Sequence, residues 1–166
     1  TVTWWNDGFY IGTDNGLYVS KDKNTNIKGR SITPVIDVLN GVRIRCLKED
    51  SKGNLWICTS RAGVYKLTTD GGVKKYDKSN GLNGELYRTV TELSDNTILV
   101  AGDSGMSFIK DDDSVYNIGT QMINSKVLCT LQADDKTIFA GTDGNGIEVI
   151  RDGVIVGNFG KNEGLS

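Results

Sequence analysis

Histidine is absent from this chain of 166 residues. Without it no Ser-His-Asp or Cys-His nucleophile can be assembled, and zinc sites of the histidine-containing kinds are excluded. Proline occurs once, at Pro34, and cysteine three times, at Cys46, Cys58 and Cys129. An odd number of cysteines without regular spacing is no disulfide framework. No run approaches the ~18 apolar residues of a membrane-crossing helix. Neither sign of charge dominates: 19 Lys and Arg stand against 21 Asp and Glu. Nucleic acid is a poor partner for such a balance. There is no initiator methionine and no leader-like start, so Thr1 reads as a processing boundary.

What is abundant is glycine, with 21 residues, accompanied by many Asp and Asn. That mixture fits short strands joined by tight turns. One sentence is written four times. Its apolar strand is FYIGT at Phe9–Thr13, LWICT at Leu55–Thr59, ILVAG at Ile98–Gly102 and IFAGT at Ile138–Thr142. The spacings are 46, 43 and 40 residues. A glycine and an apolar residue follow each copy: Gly16-Leu17, Gly63-Val64, Gly105-Met106 and Gly146-Ile147. Two apolar residues three apart precede each: Val2 and Trp5, Ile44 and Leu47, Val90 and Leu93, Leu128 and Leu131.

The columns have physical content. Gly12, Cys58, Ala101 and Gly141 are all small, which points to a neighbouring sheet in close approach. Cys58 therefore reads as a small core residue; Cys46 and Cys129, on inner strands, read the same way. The next column holds Thr13, Thr59, Gly102 and Thr142. A threonine there can bury its methyl and give its hydroxyl to the backbone. The strands are nearly continuous apolar runs, as expected when both faces of a sheet are covered.

Each repeat parses into four strands, from inner to outer, and no segment has sustained helical periodicity. Four antiparallel strands at this period are the mark of a β-propeller blade. The expected fold is all-β, with about four blades at 1–40, 41–82, 83–122 and 123–166. The outer strand of the first blade is expected within 27–33. A segment of a larger ring is the expectation, and a closed four-bladed ring the alternative. Whole blades normally cover one another's faces, so the two end faces should be apolar and the chain should self-associate.

The wording of the second repeat resembles the two-component regulator propeller repeat. The residues that carry this are Asp50, Gly53–Ile57, Thr59, Gly63–Tyr65, Lys74–Asp77 and Asn80–Leu82. The third repeat departs most, with Leu99 for the aromatic and Gly102 for the threonine. The resemblance implies an extracytoplasmic sensor region of a bacterial membrane receptor. It also implies seven blades per ring, and further on a membrane span with a histidine kinase or GGDEF-type diguanylate cyclase.

The loops between second and third strands share one face with the segments that lead into the inner strands. The first group offers Asp14 and Asn15, Ser60 and Arg61, Asp103 and Ser104, Asp143 and Asn145. The second offers Asn83, Glu85, Tyr87, Arg88 and Asn124–Lys126. Arg43 and Arg45 lie on an inner strand, and alternation aims one of them at the ring axis. For each Asp or Asn, plain turn duty is the competing explanation. Trp5 and Trp56 sit in repeat columns and read as core, which leaves Trp4 as a sugar platform. The candidate ligand-binding set is Trp4, Arg43, Arg45, Arg61, Tyr87, Arg88 and Asn145. The expected ligand is small and polar, such as an oligosaccharide or peptide.

Asp143–Glu148 faintly resembles a calcium loop but lacks the spacing of one. Asp111–Asp113 reads as a solvated outer turn that discourages edge pairing. No cofactor, metal or catalytic residue is expected. A ligand-sensing module is favoured. A protein-binding scaffold is the alternative, and a propeller lyase or glycosidase a more distant one, since no carboxylate pair stands apart from turn positions.

Overall fold

The structure is a computed structural model in which residues 1–21, 33–119 and 125–165 are described. Blade 1 is β1 (Val2–Trp5), β2 (Gly8–Thr13), β3 (Gly16–Ser20) and β4 (Thr33–Pro34). Blade 2 is β5 (Ile44–Glu49), β6 (Leu55–Thr59), β7 (Val64–Leu67) and β8 (Val73–Tyr76). Blade 3 is β9 (Tyr87–Glu92), β10 (Ile98–Gly102), β11 (Gly105–Ile109) and β12 (Val115–Gly119). Blade 4 is β13 (Val127–Gln132), β14 (Ile138–Thr142), β15 (Ile147–Arg151) and β16 (Val154–Phe159). Each blade is one antiparallel sheet with its strands in chain order. Helix among the described residues is limited to 3-10 turns at Asp37–Leu39, Lys78–Asn80 and Lys161–Glu163. The fold is a β-propeller segment, and its row of blades does not close into a ring. The expected outer strand at 27–33 lies, apart from Thr33, outside the described residues.

Three apolar cores sit between successive blades. Tyr10 and Leu17 of blade 1 meet Ile44, Leu55, Ile57 and Tyr65 of blade 2. Trp56, Cys58, Val64 and Tyr76 on the other face of blade 2 meet Tyr87, Val90 and Val100 of blade 3. Leu99, Met106 and Phe108 then meet Val127, Ile138 and Ile150 of blade 4. Every residue of β6 and β10 is buried, because both faces of these sheets are covered. The small column sits where one blade's second strand meets the next blade's inner strand. A Cβ on Gly12 would stand 2.5 Å from Ile44 Cγ2, and the Cys58 thiol donates to the Thr89 carbonyl at 3.5 Å. Burial pushes the Cys58 thiol well up, so it stays protonated and inert.

The inner strands are not in the register that their apolar pairs suggest. Pairing to the second strand puts Val2, Leu47, Val90 and Thr130 in one column. A bulge in β5, β9 and β13 leaves Arg45, Arg88 and Leu128 as the unpaired extra residue. One inserted residue shifts everything before it, which three-residue apolar spacing does not reveal.

Two further expectations are corrected. Cys129 is exposed, not core. It lies on the face of blade 4 that no blade covers, together with exposed Leu128, Leu131 and Phe159. Asp111–Asp113 is more than a solvated turn. Lys52 pairs with Asp111, while Lys74 and the Tyr76 hydroxyl hold Asp113, which ties blade 3 to blade 2. The expectation of apolar end faces holds: Val2 and Trp4 are exposed on blade 1, opposite in the row to Leu131 and Phe159 on blade 4.

A recurring turn latches blades together. Asp77 caps the 3-10 turn of blade 2, and its N–H donates to the Asn80 side-chain oxygen at 2.7 Å. Gly81 then takes a left-handed conformation, and the Leu82 N–H returns to the Asp77 carbonyl at 3.0 Å. Leu82 thereby enters the core between blades 2 and 3. Gly160–Leu165 makes the same turn in blade 4, but there Leu165 is exposed. Leu82→Ala is expected to cost about 2 kcal/mol, at the low end for a buried leucine, whereas Leu165→Ala should be neutral. Urea unfolding of the two variants measures the contrast. Equal losses would show that Leu82 does not act through the blade junction.

Candidate functional site

The loops between second and third strands share their construction. The Thr13, Thr59 and Thr142 hydroxyls donate to the Gly16, Gly63 and Gly146 carbonyls at 2.8–2.9 Å. The same oxygens accept the N–H of Asn15, Ala62 and Asn145 at 2.8–3.1 Å. One hydroxyl thus closes both ends of a tight loop. Blade 3 has Gly102 at this position because a Cβ there would lie 2.2 Å from the Leu86 carbonyl oxygen.

Each loop is tied to the segment that enters an inner strand. The N–H groups of Ser60, Asp103 and Asp143 donate to the carbonyls of Arg43, Leu86 and Lys126 at 3.0, 3.4 and 2.9 Å. The two groups of loops therefore form one face, as read from the sequence. Charges on this face are mostly answered. Arg43 Nε meets Asp14 at 2.7 Å, Arg88 Nε meets Asp103 at 2.7 Å, and Lys126 Nζ lies 3.9 Å from Asp143.

Six of the seven candidates can be placed on or next to this face, and they differ in what they are free to do. Arg61 Nη2 donates to the Gly41 carbonyl at 2.7 Å and so holds the connection between blades 1 and 2. Arg43 and Arg88 are engaged in the ion pairs above. Asn145 donates to Glu148 at 2.7 Å, and its carbonyl accepts the Asn158 amide at 2.8 Å. Tyr87 is a core residue: it is 1% exposed, and its hydroxyl contacts Asn83, Ser107 and the Gly84 N–H. Its side chain turns inward because it belongs to the same column as Ile44 and Val127. Arg45 sits in the bulge of β5, half-buried, with a buried Nε that has no partner among the described residues. An unpaired buried donor costs about 1–3 kcal/mol.

Trp4 is apart from the rest. It packs edge-on against Phe9, centroids 4.7 Å apart, on the uncovered face of blade 1. Asn124 lies outside the described residues. Asp143 faces Lys126, and Glu148 is buried against Asn145. Among the described residues no three potential metal ligands gather.

Two shallow grooves open at equivalent places on the outer half of the face. One is lined by Arg61, Lys75, Asp77 and Glu85, the other by Asn145, Asn158, Lys161 and Glu163. In the first, Lys75 and then Ser79 hold the Asp77 carboxyl down at about 2. The sequence reading missed Lys75 and Asn158, whose place beside the loops follows from the pairing of third and outer strands, and Lys78, on the turn that follows β8. These grooves offer donors and acceptors of both signs and suit a polar ligand.

Residues 38–61 match the model of the family described as two component regulator propeller; the match includes Asp50, Gly53–Ile57 and Thr59 of the resemblance, whose other residues lie beyond it. No protein of curated function matches the sequence. Several solved structures share the fold at low identity. The extracellular domain of a hybrid two-component system from B. thetaiotaomicron is 13% identical with a TM-score of 0.70, over 93% of this chain and 23% of that one. The extracellular domain of a one-component system from the same organism is 13% identical with a TM-score of 0.72, over 95% of this chain and 21% of that one. Streptogramin B lyase is 15% identical with a TM-score of 0.65, over 90% of this chain and 50% of that one. The chain thus spans less than a quarter of the two receptor domains, and half of the lyase.

Proposed function

We propose that this chain, which carries a two-component regulator propeller repeat, is a non-enzymatic, extracytoplasmic ligand-sensing segment of a bacterial membrane receptor. The observation that carries this reading is the match of residues 38–61 to that family. The likeness to extracellular domains of two-component and one-component systems supports it. The ligand is small and polar, an oligosaccharide or a peptide, and binds on the face that carries Arg43, Arg45, Arg61, Arg88 and Asn145. The parent receptor supplies further blades against the apolar end faces, and the chain self-associates where they are missing.

The fold also carries lyase chemistry in one relative, so the experiment must separate binding from turnover. The whole chain is screened by thermal denaturation against neutral and acidic oligosaccharides and short peptides. A protecting ligand is then incubated with the protein and weighed by mass spectrometry. Protection with unchanged ligand mass is the expected result. Ligand recovered with altered mass would move the lyase reading to the front. Protection by none of the panel would sink the sensing reading.

A further inference from the structure

The residue that follows the second strand is aspartate in three blades, Asp14, Asp103 and Asp143, and serine in one, Ser60. Each of the three carboxylates faces a cation that enters or opens an inner strand: Arg43, Arg88 and Lys126 in turn. Ser60 brings no carboxylate. Arg45 is the one inner-strand arginine without an ion pair among the described residues.

The correspondence extends to the atoms. Arg45 and Arg88 are the extra residues of the same bulge in successive blades. Ser60 and Asp103 are held by equivalent backbone bonds, to the Arg43 and Leu86 carbonyls. In blade 3, Arg88 Nε donates to Asp103 Oδ1 at 2.7 Å. In blade 2 that same nitrogen, Arg45 Nε, is buried and unpaired. Ser60 stands where blade 3 has Asp103, so the loop sets no carboxylate of the chain against Arg45 Nε. A guanidinium presents several N–H donors in a planar fork that matches a carboxylate and stays charged at every physiological pH.

We infer that Arg45 receives a carboxylate borne by the ligand, in the position that Asp103 occupies for Arg88. The ligand class is then acidic, either a sugar acid or a peptide with a free carboxylate. This deepens the ligand-sensing reading and rests on it. Ser60 is the specificity-determining exchange, because an aspartate there would satisfy Arg45 internally and repel an acidic ligand. Arg43, Arg61 and Arg88 do not fill this role, since each already has an oxygen partner within the chain.

The test uses the whole chain labelled with nitrogen-15, at constant ionic strength. The Nε–H resonance of Arg45 is assigned from its loss in Arg45→Gln. It is then followed during titration with sodium glucuronate and, separately, with N-acetylalanine. Glucose and N-acetylalanine amide serve as their neutral counterparts. At least one carboxylate should shift the resonance saturably while its neutral counterpart does not. Which of the two acts distinguishes a sugar acid from a peptide. Ser60→Asp should abolish the response and raise the melting temperature. That variant is compatible with the fold because aspartate stands there in three blades. The inference is overturned if neither carboxylate moves the resonance, if the neutral compounds move it equally, or if Ser60→Asp leaves the response intact. A neutral sugar that protects the chain from heat without moving Arg45 overturns the acidic ligand alone and leaves the sensing reading standing.

Discussion

Gly63→Ala is expected to lose about 4 kcal/mol of folding stability, with a correspondingly lower urea midpoint. Gly63 has φ +78, in the left-handed region, and an added Cβ would stand 2.2 Å from the Tyr76 carbonyl oxygen. The first feature costs roughly 1–2 kcal/mol for a residue with a Cβ. The second adds about 1–3 kcal/mol, the range for overpacking, because the obstacle is backbone and has no rotamer to escape into. Tyr76 O cannot retreat cheaply: Tyr76 pairs with Val64, and its ring packs against Trp56 at 5.5 Å. Gly53→Ala is the control. Gly53 has φ +79, yet nothing lies within 4 Å of its added Cβ, so only the conformational cost of about 1–2 kcal/mol remains. Equal losses in the two variants would mean that the close approach of β8 contributes nothing. The larger loss at Gly63 would also disturb the Thr59–Gly63 loop, and with it the setting of Ser60 and Arg61.

Asp50→Ala should cost about 3 kcal/mol at neutral pH, with the part that depends on its charge removed in acid. The Asp50 carboxylate organises the turn between β5 and β6. Its Oδ2 accepts the Trp56 indole N–H at 2.7 Å and the Asn54 side chain at 2.9 Å. Its Oδ1 accepts the backbone N–H groups of Lys52 and Asn54 at 3.0 and 2.8 Å. Truncation strands a buried indole donor, at about 1–3 kcal/mol, and removes charge-assisted bonds besides. Burial pushes the Asp50 carboxyl up, but the bonds from Asn54 and Trp56 outweigh it and leave it below the ordinary 3.8. The ionised form is therefore favoured by folding. Its contribution is complete above the unfolded-state value and is lost as pH falls through the lower folded-state value. Urea unfolding of both proteins at pH 7 and near pH 2 measures the gap. A gap unchanged by acid would show that the carboxylate charge has no part in the turn. Asp113 is also held below its ordinary value, since the bonds from Lys74 and Tyr76 outweigh its burial, so the clamp between blades 2 and 3 weakens in the same acid window.

These two residues show why parts of the molecule could be read before its fold was known. Asp50, Gly53, Trp56, Thr59 and Gly63 serve local geometry, within one hairpin or one loop. Local demands repeat with each blade and so repeat in the sequence. The second and third strands, the small column and the hydroxyl of Thr59 were all legible for that reason. The extents of the inner strands were legible too, but their register against the second strands was not, because a bulge adds a residue without changing composition. The candidate site was legible as a face but not residue by residue. Tyr87 and Arg61 were picked for their chemistry, and both satisfy the chain's own groups. The exchange of aspartate for Ser60 was written in the columns all along. It carried no meaning until the partners of Asp14, Asp103 and Asp143 were known.

The repeat of apolar runs, glycines and threonines dictated four blades, the order of their strands and the face on which the loops gather. Those features follow from interactions within about forty residues of chain, which any copy of the repeat contains. Which arginine is left without a partner depended on side chains brought together from different strands and loops. So did the fate of Cys129 and Leu165, which differ from their counterparts Cys46 and Leu82 in whether another blade lies against them. Burial is a property of the neighbour, and a residue's own position in the repeat does not contain it.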